Sequence, residues 1–265
     1  MSYLSFISGS SINQNAFDIY TNLIAYWEYE QNNSDTFFDD VHSTHNLTIR
    51  SGTSSSNSSA GGIKSRSTSS YQLNSNTGLY VPRSDSTFDF GDTDFSIAFW
   101  VKDSGNMVGF DRDVNYIGRH YNSSTFSYCI VARYLFPAGE SRKAILRDSS
   151  NASSTTLDIG GLVDNTWTLL VLVHDSINNE FRAYNNTTKY STSHSGGVYS
   201  GGNQNFCVGS ASTSDTTVNT TSDAVSAYFD ETLVVGRALT DSDVAYLYAS
   251  GAGKTYAQIK SEAGF

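Results

Sequence analysis

Phe95-Ser96-Ile97-Ala98-Phe99-Trp100-Val101 is the stretch whose reading decides the fold. Side chains alternate between the two faces of an extended strand, so Phe95, Ile97, Phe99 and Val101 share one side. Ser96, Ala98 and Trp100 share the other. Outward from there, Trp167-Thr168-Leu169-Leu170-Val171-Leu172-Val173 is apolar on both faces, which predicts a central strand covered on both sides. Shorter runs at residues 23–29, 46–49, 115–118, 126–132, 144–147, 155–159, 181–184, 206–209 and 228–235 read the same way. Gly, Asn, Ser and Asp punctuate them, the pattern of an all-β sandwich or jelly roll.

Composition agrees. The chain has 265 residues, enough for one large sandwich with a sizeable core. Charged residues are 16%, where about a quarter is usual, and Ser, Thr, Asn and Gly fill the surface instead. Aromatic residues reach 13% with only 2 prolines, which favours strands over helices. The formal net charge is −10 and no cluster of Lys and Arg occurs, which argues against a nucleic-acid partner. Cys129 and Cys207 lie inside apolar runs, too few for a disulfide framework and wrongly spaced for zinc. They read as two buried thiols, with a single bridge between neighbouring strands as the alternative. Met1-Ser2-Tyr3-Leu4-Ser5-Phe6-Ile7 does not read as a secretory signal, and no apolar run is long enough for a membrane helix.

One helix is well specified near the end. Thr240 is its predicted N-cap, with Asp243 three residues on as the second half of a capping box. Leu239 and Val244 can staple its entry, Val244, Leu247 and Tyr248 share a face, and Gly251 marks the stop. The chain thus divides into a polar leader at residues 1–21, a sandwich at 22–251 and a tail at 252–265 with room for another helical turn. Residues 51–70 read as a long Ser/Gly-rich surface loop.

Four segments, in order, resemble the laminin-G-like jelly-roll domains of the concanavalin-A-like lectin and glucanase superfamily. They are Leu23-Ile24-Ala25-Tyr26-Trp27 with Asp40; Gly78-Leu79-Tyr80-Val81-Pro82 with the run Asp94 to Lys102; Asn165-Thr166-Trp167 through His174-Asp175 to Phe181-Arg182-Ala183-Tyr184-Asn185-Asn186; and Phe229-Asp230-Glu231-Thr232 onward to Thr240. Departures are mild: Ala227 stands where the family has Gly, and Asn185-Asn186 replaces its Asn-Gly hairpin. The resemblance implies two antiparallel sheets with a short C-terminal helix, and Trp27, Trp100 and Trp167 in connected cores.

The resemblance also implies a calcium site between Asp40 and Asp230, completed by carbonyls and water, since calcium takes six to eight oxygens. The plainer alternative is that Asp40 caps a turn and Asp230 bonds a neighbouring loop. Glu231 is the weaker ligand, because adjacent strand residues face opposite ways. No other cofactor is implied. No alternating acid triplet of the glucanase kind occurs, and His42, His45, His120, His174 and His194 are scattered, so no catalytic residue is named. Tyr116, Tyr121, Tyr128 and Tyr134 offer possible sugar-stacking faces, weighed against half-buried sheet positions.

The expected function is non-catalytic binding or assembly, foremost in a bacteriophage virion as a decoration, fibre or receptor-binding component. The leader at 1–21 would attach it to other virion proteins, and a host-surface glycan is a further expected partner. A trimer is expected by analogy. The alternative is a lectin-like adhesin at a cell surface or secreted; a glycan hydrolase is the third reading. Fold alone does not choose among them.

Overall fold

A computed structural model describes residues 12–29, 37–38, 40–51, 56–58, 70–73, 77–103, 113–122, 125–135, 139–161, 163, 165–202, 204–212, 218–219 and 227–265. Its strands are β1 Leu23–Trp27, β2 Phe37–Phe38, β3 Leu47–Ser51, β4 Ser56–Ser58, β5 Ser70–Leu73, β6 Thr77–Val81, β7 Phe95–Asp103, β8 Asp113–Asn122 and β9 Thr125–Leu135. There follow β10 Gly139–Arg147, β11 Ser154–Asp158, β12 Thr168–Asp175, β13 Glu180–Asn185, β14 Thr188–Ser193, β15 Phe206–Val208, β16 Ala211–Ser212, β17 Val218–Asn219 and β18 Ala227–Val235. The helices are α1 Gln14–Thr21, α2 Asp241–Tyr248 and α3 Tyr256–Glu262.

Two 8-stranded antiparallel sheets stack as a jelly-roll sandwich. The first runs β14-β13-β12-β7-β18-β5-β4, with β1 also paired to β18; the second runs β11-β10-β9-β8-β15-β6-β3-β2. Period-two alternation sorts the predicted residues as expected. Phe95, Ile97, Phe99 and Val101 of β7 enter the core between the sheets with Leu170, Leu172, Tyr128, Ile130 and Phe206. Rings fill much of it: Phe90 stacks on Phe95 at 4.0 Å and Phe88 on Phe206 at 4.6 Å.

The opposite face of the first sheet has a second core of its own. Ala98 and Trp100 of β7 and Leu169, Val171 and Val173 of β12 pack there against Ile19, Leu239, Val244, Leu247 and Ile259 from the helical layer. β12 is therefore central and covered on both sides, as its composition predicts. The three tryptophans do not share one core: Trp27 lies between the sheets, while Trp100 and Trp167 lie under or beside the helices. One sheet carries both clusters on its two faces, so the sandwich reading stands.

β18 links these layers through a bulge. Asp230 pairs with Trp100 and Leu233 with Ala98, so β18 advances three residues while β7 advances two. Glu231 absorbs the extra residue at φ +44°, in the left-handed region. Alternation reverses across it: Ala227 and Phe229 face the inner core, but so does Val234, while Leu233 and Val235 face the helices.

Thr240 caps α2 in the predicted box with Asp243, and Leu239 and Val244 are buried together. The helix stops earlier than Gly251 suggests, because Ala249 and Ser250 already adopt left-handed φ of +46° and +57°. The tail folds as α3, with its own capping box between Thr255 and Gln258. The leader is not uniformly irregular. Its residues 14–21 form α1, which buries Ala16 and Ile19, and the Asn13 N–H donates to the Glu262 carbonyl at 3.0 Å. Residues 1–11 lie outside the described residues. Cys129 and Cys207 are buried thiols rather than a disulfide, on either side of Gly118 of β8. No described helix is long and apolar enough to cross a membrane.

Candidate functional site

A groove of about 590 Å³ opens where the β12–β13 turn meets the start of α2; Asp94, Asp175, Asn178, Arg182 and Asp241 line it, with Ile177 at its rim. Local chemistry fixes each wall. Asp175 ends β12 and caps the following turn, accepting bonds from the Asn178 N–H and side-chain amide at 3.0 Å. Asn179, at φ +51°, then reverses the chain into β13. Asp94 accepts the Ser176 N–H at 2.7 Å and hydroxyl at 2.6 Å, which ties the turn to the strand entry of β7.

Arg182, on β13, is the hub. Its guanidinium pairs with Asp175 at 2.8 Å and Glu180 at 2.6 Å and donates to the Leu239 carbonyl at 3.1 Å. On the α2 side, the Tyr184 hydroxyl donates to Asp241 at 2.6 Å. Buried Ser96 of β7 holds that segment in place, donating to the Arg237 carbonyl at 2.8 Å and accepting the Leu239 N–H at 2.9 Å.

These bonds set the charge states. Burial raises the Asp175 carboxyl, but the bonds from Asn178 and Arg182 outweigh it and hold it below the usual carboxylate range. The Tyr184 hydroxyl holds Asp241 low, against a smaller effect of burial. A glycosidase acid needs the reverse, a carboxyl raised so that it carries a proton near neutral pH. The groove therefore presents ionised, immobilised acceptors beside a buried guanidinium, an arrangement suited to hydrogen-bonding a polar ligand.

The residues singled out from sequence lie elsewhere. Asp40 organises its own loop, accepting the Tyr26 N–H at 2.7 Å, the Thr44 hydroxyl at 3.1 Å and the His42 N–H at 3.2 Å. Donors directed at both of its oxygens make it the cap of that turn. Asp230 is buried and accepts the Glu231 N–H at 3.0 Å. Among the described residues no group of three or more His, Cys, Asp or Glu is placed to hold a metal ion. Glu231, the discounted neighbour, accepts a bond from the buried Tyr26 hydroxyl, an arrangement the bulge sets up. Burial, together with that carboxylate, pushes the Tyr26 phenol up.

Tyr116 and Tyr128 are core residues, bonded to Asp103 at 2.8 Å and to the Phe88 carbonyl at 3.0 Å. They offer no stacking face. The side chains of Tyr121 and Tyr134 lie outside the described residues. His174 and His194 are buried at the Asp175 end of β12, with rings 5.6 Å apart, and His45 bonds Asp85 at 2.6 Å. Sequence reasoning did not single out Asp94, Asp175, Arg182 and Asp241 as a site. Only the Thr240 helix start and the Asp-Ser-Ile-Asn-Asn turn signal at 175–179 point toward it.

The sequence model of a laminin-G family, described as the concanavalin A-like lectin/glucanases superfamily, matches residues 73–245. The chain belongs to that superfamily. Solved structures share this concanavalin A-like fold at low identity. The binding domain of botulinum neurotoxin serotype D superposes with a TM-score of 0.60 at 15% identity, over 88% of this chain and 52% of that one. The binding domain of Paraclostridial Mosquitocidal Protein 1 gives 0.61 at 15%, over 88% and 53%. The chain thus spans about half the length of those toxin domains. Domain 4 of AbnA, a GH43 extracellular arabinanase from Geobacillus stearothermophilus, solved with arabinotriose, gives 0.58 at 18% identity, over 87% of this chain and 98% of that one. No curated protein sequence matches the concanavalin A-like chain.

Proposed function

We propose that the chain is a non-catalytic binding module that takes a saccharide in the Asp175–Arg182–Asp241 groove. The carrying observation is the pre-ordered wall: each of these groups is held by a partner before any ligand arrives, so little ordering entropy is lost on binding. The two displaced carboxylates are both held ionised, which supports binding over hydrolysis. The arabinanase domain of like fold was solved with arabinotriose, so arabino-oligosaccharides are the first probes. Titration with arabinotriose and a neutral glycan panel tests the reading. Asp241→Ala and Asn178→Ala should each weaken binding at least about tenfold, roughly one strong hydrogen bond. Unchanged affinity in both variants overturns the groove. Release of reducing sugar from the same panel would overturn the non-catalytic reading.

The finer setting we favour is a virion. Its support is the low-charge surface, with 16% charged residues in the whole chain. Because α1 is packed into the fold through Ala16 and Ile19, the attachment segment is best tested by removing residues 1–11 alone. Regular copies on a particle by electron microscopy, lost on that truncation, are the expected result. A protein found only at a cell surface would point to the adhesin alternative.

A further inference from the structure

At the other end of β12 lies a different surface. Tyr228 of β18 pairs with Lys102 of β7, and Thr168 of β12 pairs with Val101, so Trp167 comes level with Lys102. The three form a row across three strands on the helix-covered side of the sheet. The Lys102 ammonium sits 4.4 Å from the centre of the Tyr228 ring and 5.2 Å from that of Trp167, and all three are half-buried. Trp100, stacked on Tyr248 of α2 at 5.9 Å, closes the row toward the helix.

Lys102 has no carboxylate partner among the described residues, in a chain with 26 acidic and 16 basic residues. By contrast Arg83, Arg142, Arg182, Arg237 and Lys254 each meet one. Burial alone displaces the Lys102 ammonium, lowering its pKa. Aromatic faces attract the charge but leave its three N–H donors without a full acceptor. The row therefore offers two flat apolar surfaces and one partly desolvated cation at a fixed place between them.

We propose that Trp167, Lys102 and Tyr228 form a second binding seat, for the ring of a uronic acid within an acidic saccharide. The pyranose C–H face would lie on the Trp167 or Tyr228 ring, and the ring carboxylate would take the Lys102 donors. A polyphosphate or nucleic acid is a poor fit, because a single cation on a chain of net charge −10 cannot offset a run of phosphates. β12 spans eight residues, which places this seat about 24 Å from the groove, and the inference does not depend on the groove reading.

The test is calorimetric titration with trisaccharides of galacturonate, glucuronate and mannuronate, each alongside its methyl ester, which keeps the ring and removes the charge. At least one acid should bind, its ester at least about tenfold more weakly, with affinity falling as salt rises. Lys102→Met should abolish the difference between acid and ester, and Trp167→Ala should weaken both, while Trp167→Phe restores part of the loss. Asp241→Ala should leave acid binding unchanged. Melting temperatures within a few degrees of the parent will show that each variant is folded. The seat is overturned if no acid binds, if acid and ester bind equally, or if Lys102→Met binds as the parent does. It is equally overturned if Asp241→Ala removes acid binding; that outcome leaves the groove standing.

Discussion

The two ends of β12 treat charge in opposite ways. At Asp175, one guanidinium is paired with that carboxylate and with a second from Glu180, and an amide and a backbone carbonyl complete the set. At Trp167, a single ammonium lies between rings with no carboxylate opposite among the described residues. The first arrangement lends order to the fold. The second lends it little, and so is free to serve a ligand. Net charge cannot reveal this difference, because it sums both ends.

The sharpest way to break the comparison is to remove one cation from each end. Arg182→Ala should cost about 3 kcal/mol, since it leaves a largely buried carboxylate without its partner. Urea denaturation measures it. A loss below about 1 kcal/mol would mean that solvent already screens the pair. Next in size is the support of the groove's far wall. Thr240→Ala removes the α2 cap and should cost about 1 kcal/mol, with Thr240→Ser restoring most of it.

Acid should separate the ends too. Burial holds the His174 imidazole below its ordinary value. The unfolded chain then takes up that proton first, so stability is full above about pH 6.5 and falls as pH drops below it toward the lowered folded value. Asp175 and Asp241, both held low, act in a second window, losing their contribution as pH falls below about 4. His174→Gln should remove the first window only, as melting temperature against pH will show. The smallest effect belongs to the aromatic end: Lys102→Met should change stability by less than about 0.5 kcal/mol. A loss comparable to that of Arg182→Ala would erase the distinction.

Much of the sandwich is legible from local signals. Alternation at 95–101, double apolarity at 167–173 and the Thr240–Asp243 box all act within a few residues, so sequence shows them. Asn186 takes the left-handed turn expected of it, at φ +56°. The edge strand β14, Thr188–Ser193, escapes because its side chains are mostly exposed and polar, so no apolar period marks it. α1 escapes for a similar reason: only Ala16 and Ile19 are buried, and the aromatic rings Phe17 and Tyr20 find cover against Phe265 and Tyr256, more than 200 residues away in sequence. The groove is the least legible of all. Asp94, Asp175, Arg182 and Asp241 come from four separate elements, and only strand order brings them together. Asp40 shows its turn-capping role only in the fold, because a carboxylate that caps a turn and one that holds a cation look alike in sequence.

The left-handed Glu231 has a reach beyond its own position. Because it resets which residues of β18 look inward, it works as a phase shifter between the Phe229 half and the Val234 half of that strand. Straightening the bulge with Glu231 kept in the ladder would invert everything downstream, turning Val234 toward the helices and Val235 toward the opposing sheet, whereas deleting Glu231 would bring the strands back into step with Leu233 still opposite Ala98. The last strand can thus lose a residue at the bulge without changing which side chains look inward, whereas a residue gained or lost elsewhere along it would turn one half over.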